Sequence, residues 1–235
     1  MKNKIKDIND LLIKKYGIPP RSKIPPKPVD LLIATILSQN TNDKNSYKAF
    51  TNLKNNYADW ESVSKLSTEQ LEKEIRVAGL NKQKSKSIKK LLTTLKEEKG
   101  EITLDYLEEM KDQEVITELT KFKGIGIKTA SCVLLFSMRR NICPVDTHVH
   151  RTLNRIGVVN TSTPDKTFKL LNNYLPDKIA HSIHTNLIKL GREICKPTNP
   201  KCSICPLLKI CKFKSKNFEA NRNYKKNNFL LLDSI

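Results

Sequence analysis

The sequence predicts an all-α protein, and three observations lead there. Apolar residues recur at helical spacing along most of the chain, β-branched alternation with period two is missing, and no hairpin dipeptide separates two apolar runs. With 235 residues the chain has room for one large domain or two small ones, each with a real core.

Taken in order, residues 4–16 place Ile5, Ile8, Leu11, Leu12 and Ile13 along an amphipathic helix that Gly17 ends. Prolines 19, 20, 25, 26 and 28 then make a stiff connector. Pro28 suits the first position of a helix, and the nearly all-apolar stretch Val29–Leu37 behind it predicts a buried one. Further helices are predicted at about 43–56, 68–77, 82–98, 112–121, 127–138, 147–157, 165–174 and 178–191. Lysines 82, 84, 86, 89 and 90 crowd the front of one of them, against the macrodipole preference. That face is either solvated or set against phosphates. After Cys211 come 24 residues with basic positions 212, 214, 216, 222, 225 and 226, closing on the apolar run Phe229-Leu-Leu-Leu. The basic part is expected to be mobile, with the last residues docking on the body.

Charge narrows the partners. Lys and Arg number 43 against 24 Asp and Glu, a formal net charge of +19, with a pI near 9.7. Such a chain is drawn to a polyanion, nucleic acid first, although a lysine-rich solvated surface gives the same count. No apolar run approaches the roughly 18 residues of a membrane span, and Met1-Lys-Asn-Lys-Ile lacks the apolar core of a signal peptide. The expectation is a soluble, intracellular protein, monomeric by default, with no membrane partner.

Cys195, Cys202, Cys205 and Cys211 are spaced C-x6-C-x2-C-x5-C. Four thiolates this close in sequence converge only around a compact object, a zinc ion or an iron–sulfur cluster. Zinc sites usually pair two close doublets, and only Cys202 and Cys205 form one here, so the uneven gaps suit a cubane better. Disulfides fit poorly with a reducing compartment. Cys132 lies in an apolar helix and reads as a small core residue.

The segment Leu119-Thr-Lys-Phe-Lys123-Gly124-Ile-Gly126-Ile-Lys128 reads as a helix, a glycine turn and a second helix whose first amides are bare. Bare amides at a helix start suit a phosphate, and lysines 121, 123 and 128 favour that use over a plain structural elbow. Downstream, Pro144-Val-Asp146-Thr-His148 marks another helix start, where the dipole keeps a carboxylate ionised. Asp146 is either an ordinary N-cap or, with Lys128, half of a nucleophile–anion pair. An amine can attack an electrophilic carbon and form a Schiff base, and a carboxylate can stabilise a developing cation and assist proton transfer.

With these residues in view the chain resembles the endonuclease III family, helix-hairpin-helix DNA glycosylases that carry a [4Fe–4S] cluster. The resemblance rests on the hairpin with Gly124, Gly126 and Lys128, on Val145-Asp146-Thr147-His148, and on the four-cysteine loop. Leu37-Ser-Gln39-Asn40-Thr41 and Ala78-Gly79-Leu80-Asn81 resemble two DNA-probing segments, and the matches run in order from about residue 29 to 211.

The resemblance implies two helical lobes with the active site in the cleft between them. A six-helix lobe with the hairpin would span 29–139, and a cluster lobe would join 1–28 to 140–212, leaving 213–235 as a basic tail. It implies a bifunctional DNA glycosylase/AP lyase of base-excision repair acting on double-stranded DNA with damaged bases or abasic sites, favouring oxidised pyrimidines. Lys128 would attack C1′ and lead to β-elimination, while Asp146 would assist base loss. Asn40, with Gln39 beside it, would fill the gap left by a flipped nucleotide, and Leu80 would wedge into the opposite strand. Lys123, Gly124, Gly126 and His148 would contact DNA, as would Lys196 and Lys201 of the cysteine loop. Each phosphate neutralised would contribute about −0.9 to the log–log salt slope of binding.

Three departures qualify the carry-over. Phe122-Lys123 replaces the family's usual Leu-Pro, which loosens the turn. Asn40 stands where bacterial members often have Gln, and Thr120 where some relatives have a pocket glutamate. Two other readings compete: a mismatch- or uracil-specific glycosylase of the same family, and a non-catalytic DNA-binding protein with a four-cysteine zinc knob.

Overall fold

The computed structural model describes residues 1–219, all of them in helices, turns and loops with no strand. The α-helices are α1 (Lys2–Tyr16), α2 (Pro28–Ser38), α3 (Asp43–Asn56), α4 (Trp60–Lys65), α5 (Thr68–Glu74), α6 (Asn81–Lys99), α7 (Asp112–Thr120), α8 (Ile127–Cys132), α9 (Thr147–Ile156), α10 (Pro164–Asn173) and α11 (Ala180–Glu193). A π-helical turn, Val133–Ser137, extends α8. Among the described residues no helix is long and apolar enough to cross a membrane.

The chain divides into two compact units: Arg21–Arg140, and Met1–Pro20 with the described residues from Asn141 onward. The first unit is built around α2. Pro28 takes the first position of that helix, and Val29, Leu31, Leu32, Ile33, Ala34, Ile36 and Leu37 are all buried. Against it pack α3, α6 and α8. Several starts are sealed by side chains. Asn42 Oδ1 accepts from Asn45 N at 2.9 Å, and Ser67 with Gln70 forms a reciprocal capping box. The short α4 carries too few residues to show periodicity; Asp59 Oδ1 caps it, accepting from Ser62 N at 2.7 Å, and buried Trp60 anchors it.

Four side-chain bonds hold the proline connector to this unit. Arg21 donates to Leu135 O, Ser137 Oγ donates to Pro26 O at 2.6 Å, and Arg139 donates to Ser22 O and Lys23 O at 2.7 and 2.6 Å. The lysine run on α6 is neither wholly solvated nor wholly free for phosphates. Lys84 is buried and Lys89 is spent on the carbonyls of Ser64 and Leu66, whereas Lys82, Lys86 and Lys90 are exposed.

In the second unit α11 packs on both α9 and α1. Gly191 permits α11 to approach α9 closely: a Cβ there would stand 2.8 Å from His148 Cβ. Residues 213–219, expected as the start of a mobile tail, fold back on the cysteine segment. Cys202 N donates to Asn217 O at 3.0 Å, and Phe213 lies under the Arg155 guanidinium at 4.3 Å. The docking expected of Phe229-Leu-Leu-Leu falls outside the described residues. Cys132 is fully buried, as a core residue.

Candidate nucleic-acid interface and catalytic residues

In the Arg21–Arg140 unit the candidate residues gather at one turn and two loops. Helix α7 closes through Phe122 N→Leu119 O, and Ile125 N→Phe122 O at 3.1 Å completes the tight turn. Gly124 has φ 89°, and a Cβ there would press on Ser87 Oγ of α6 at 3.2 Å, so this position favours glycine twice over. Ile125 is buried beneath the turn, which therefore closes without the proline that Phe122-Lys123 displaces. Gly126 caps α8, leaving the first amides of that helix beside exposed Lys123, Gly124 and Gly126.

Lys128 is the second residue of α8 and half-buried. Its ammonium has no hydrogen-bond or ion-pair partner among the described residues. A lysine placed beside a glycine turn and left unpaired is available as a nucleophile.

Two loops of the same unit carry the probing candidates. Gln39 Nε2 donates to Gly124 O at 3.1 Å, tying the loop after α2 to the hairpin. Asn40 follows at φ 50°, and Leu80, at the start of α6, sits at φ 46°. A left-handed leucine is strained, and this one leaves half its surface in solvent. Burial gains nothing at such a tip.

In the other unit Asp146 caps α9, with Oδ1 accepting from Val149 N at 2.8 Å. Its second oxygen takes no bond from the described residues, so one carboxylate atom serves the fold and the other is open. His148 is half-buried against α11, and Nδ1 accepts from Arg151 Nη2 at 3.2 Å. Burial is the main cause that lowers the imidazole's pKa, with the Arg151 and Arg192 charges adding and Asp146 opposing.

Sequence reasoning missed two arginines one turn apart on α9. Arg151 donates to Gly191 O at 2.9 Å and to Cys195 O at 2.9 and 3.1 Å. Arg155 donates to Lys196 O at 2.6 Å and Pro197 O at 2.8 Å, and approaches Cys195 Sγ at 3.6 Å. Together they fasten the cysteine loop to the helix that Asp146 caps. Their spacing, i and i+4, was the available signal. The loop itself closes through Lys201 N→Ile194 O at 2.9 Å, which leaves Lys196 exposed and Lys201 partly covered.

All four cysteines of the loop line one cavity, with Arg155, Leu208 and Phe213 among its other walls. Burial pushes the Cys205 thiol up to about 12, and the other three sulfurs push the same way. Four crowded sulfurs ionise together only around a cation. Among the described residues no group of three or more His, Cys, Asp or Glu is placed so as to hold a metal ion.

Residues 33–177 match the family model described as HhH-GPD superfamily base excision DNA repair protein. Endonuclease III of Thermotoga maritima is 35% identical over 209 residues, covering 89% of this chain and 92% of the relative. A protein of Arabidopsis thaliana named as a DNA glycosylase is 37% identical over 190 residues, 77% of this chain. That match spans 65% of the plant protein, just under two thirds of its length. Among solved structures, a non-covalent endonuclease III–DNA complex superposes with a TM-score of 0.76 at 29% identity, covering 90% of this chain and 95% of its own.

Proposed function

Since the chain belongs to the endonuclease III family of the HhH-GPD base-excision repair superfamily, we propose that it excises damaged bases from double-stranded DNA with Lys128 as nucleophile. The unpartnered Lys128 ammonium beside the Gly124–Gly126 turn carries this reading. An ordinary surface lysine would stand in solvent and a structural one would hold an acceptor.

The neutral amine attacks C1′ of the deoxyribose. The N-glycosidic bond breaks, its electron pair leaves with the base, and the base takes up a proton. The sugar ring opens as the amine becomes an imine, and loss of a C2′ proton expels the 3′ phosphate from C3′. Water then hydrolyses the imine and returns the amine. Asp146 contributes its open oxygen, which stabilises positive charge on the sugar and accepts the proton the amine must lose. The Asn40 and Leu80 tips enter the stack where the nucleotide has left. From the family resemblance we assign oxidised pyrimidines and abasic sites as its substrates. A panel of lesion-bearing duplexes tests the assignment: turnover confined to mispaired or uracil-containing duplexes would replace it with the mismatch-specific reading.

We assign Cys195, Cys202, Cys205 and Cys211 as the residues that would hold a [4Fe–4S] cluster, which would offset part of the thiolate charge and fasten the loop. Iron and acid-labile sulfide analysis is expected to find about four of each per chain. One zinc per chain with no iron would overturn the assignment.

A further inference from the structure

The Asn40 and Leu80 loops arise from different parts of the chain, yet one side chain joins them. Lys84, in the first turns of α6, is 2% exposed. Its ammonium donates to Leu37 O at 2.7 Å and to Ala78 O at 2.9 Å. Both carbonyls lie at C-terminal ends, Leu37 in the last turn of α2 and Ala78 at the close of the 3-10 turn Arg76–Ala78. Carbonyls at a helix end lack an intrahelical donor and carry the negative end of the dipole, so they suit a cation.

The positions of these acceptors give the contact its meaning. Leu37 precedes Asn40 by three residues, and Ala78 precedes Leu80 by two. The Lys84 backbone amide also donates to Leu80 O, at 3.0 Å. Lys84 thus grips the wedge residue from both sides, while the same ammonium reaches the gap-filling loop. The next turn of α6 brings Ser87 against Gly124 of the hairpin. Two strained tips and the hairpin are all referenced to one helix.

We propose that Lys84 is a positioning residue for DNA interrogation, holding the Asn40 and Leu80 loops at a fixed spacing so that they enter the duplex as one body. The inference rests on the assignment of Asn40 and Leu80 as probing residues. A buried ammonium without a carboxylate partner is a costly way to close two helix ends, and a solvated end costs nothing. Lys89 supplies a matched contrast on the same helix. It also holds helix-end carbonyls, those of Ser64 and Leu66, but neither neighbours a probing residue.

The test compares Lys84→Met with Lys89→Met, reading base excision from a lesion duplex against borohydride trapping on a single-stranded abasic oligonucleotide. Trapping on the single strand needs the amine but no insertion into a stack. Lys84→Met is expected to lower the duplex-to-single-strand ratio about 10- to 100-fold through kcat, the scale of a small misplacement. It should also remove the fluorescence rise of 2-aminopurine placed opposite an abasic site. Lys89→Met should leave the ratio unchanged. A ratio unchanged in Lys84→Met, or lowered equally in both variants, overturns the proposal. Should Lys84→Met fold poorly, Lys84→Gln, which keeps donors without charge, is read by the same ratio and judged alike. Failure of the wild type to excise any lesion would instead remove the functional reading beneath it.

Discussion

The two units of the molecule hold their functional groups by opposite means. In Arg21–Arg140 an apolar core around α2 sets the frame, and the side chains we assign to DNA chemistry are those the frame leaves unsatisfied: Lys128, Asn40 and Leu80. In the other unit the cysteine loop has little apolar core of its own and is fastened by Arg151 and Arg155 to the carbonyls of residues 191–197. One unit stores strain at its tips against a rigid interior. The other relies on polar clamps and, by our assignment, on a bound cluster. By our assignment the nucleophile stands in the unit that packing alone holds, and Asp146 in the unit held by polar clamps.

Substitutions can break or sharpen that contrast. The largest effect is expected at Lys128, where Lys128→Ala should lower strand cleavage at an abasic site by about 10³-fold or more. Duplex binding should stay close to wild type in a gel-shift assay, since one charge among 43 Lys and Arg contributes little. Full cleavage by that variant would place the nucleophile elsewhere. Next comes Asp146→Asn, which should slow base release by about 10²–10³-fold in single-turnover assays. Because an amide also caps a helix, its stability should change by less than about 0.5 kcal/mol. A large stability loss with normal excision would return Asp146 to a purely structural role.

The smallest effect concerns pH and the buried lysine of the first unit. Burial alone lowers the Lys84 pKa from 10.5 to about 8. Below pH 8 both folded and unfolded chains carry the proton, and burying the charge is a constant cost. Between about 8 and 10.5 the unfolded chain holds a proton that the folded chain has released, so stability rises with pH. The neutral amine still has two hydrogens for its two carbonyls. Urea midpoints at pH 7.5 and pH 10 (two settings either side of that rise) should show wild type gaining on Lys84→Met. A loss relative to that variant would mean that the ammonium is stabilised in the folded state.

Much of this was legible in the sequence, for reasons that also explain what was not. Pro28 ahead of an apolar run announced the start and burial of α2 because proline and hydrophobicity act locally. The glycine turn before Lys128 could be read because positive φ at Gly124 is a backbone requirement. Lys84 could not be read from charge, since a lysine facing solvent and one facing carbonyls look alike in a run of five. A signal did exist: Lys84 falls on the stripe of Ile88, Leu91 and Leu95, which are all buried on α6. Arg151 and Arg155 were hidden for a similar reason, because their partners are carbonyls that any sequence supplies. Part of the link between residues 213–219 and the cysteine loop is a backbone bond from Cys202 to Asn217, which no residue pattern encodes.

The central claim, that Lys128 is the nucleophile, is tested most directly by trapping. Wild-type protein is incubated with borohydride and a duplex carrying one oxidised pyrimidine, and the lysine attached to DNA is identified by peptide mapping. A covalent adduct is expected on the peptide containing Lys128, and none with Lys128→Ala. An adduct at another lysine, or no adduct from wild type even on an abasic duplex, would contradict the claim.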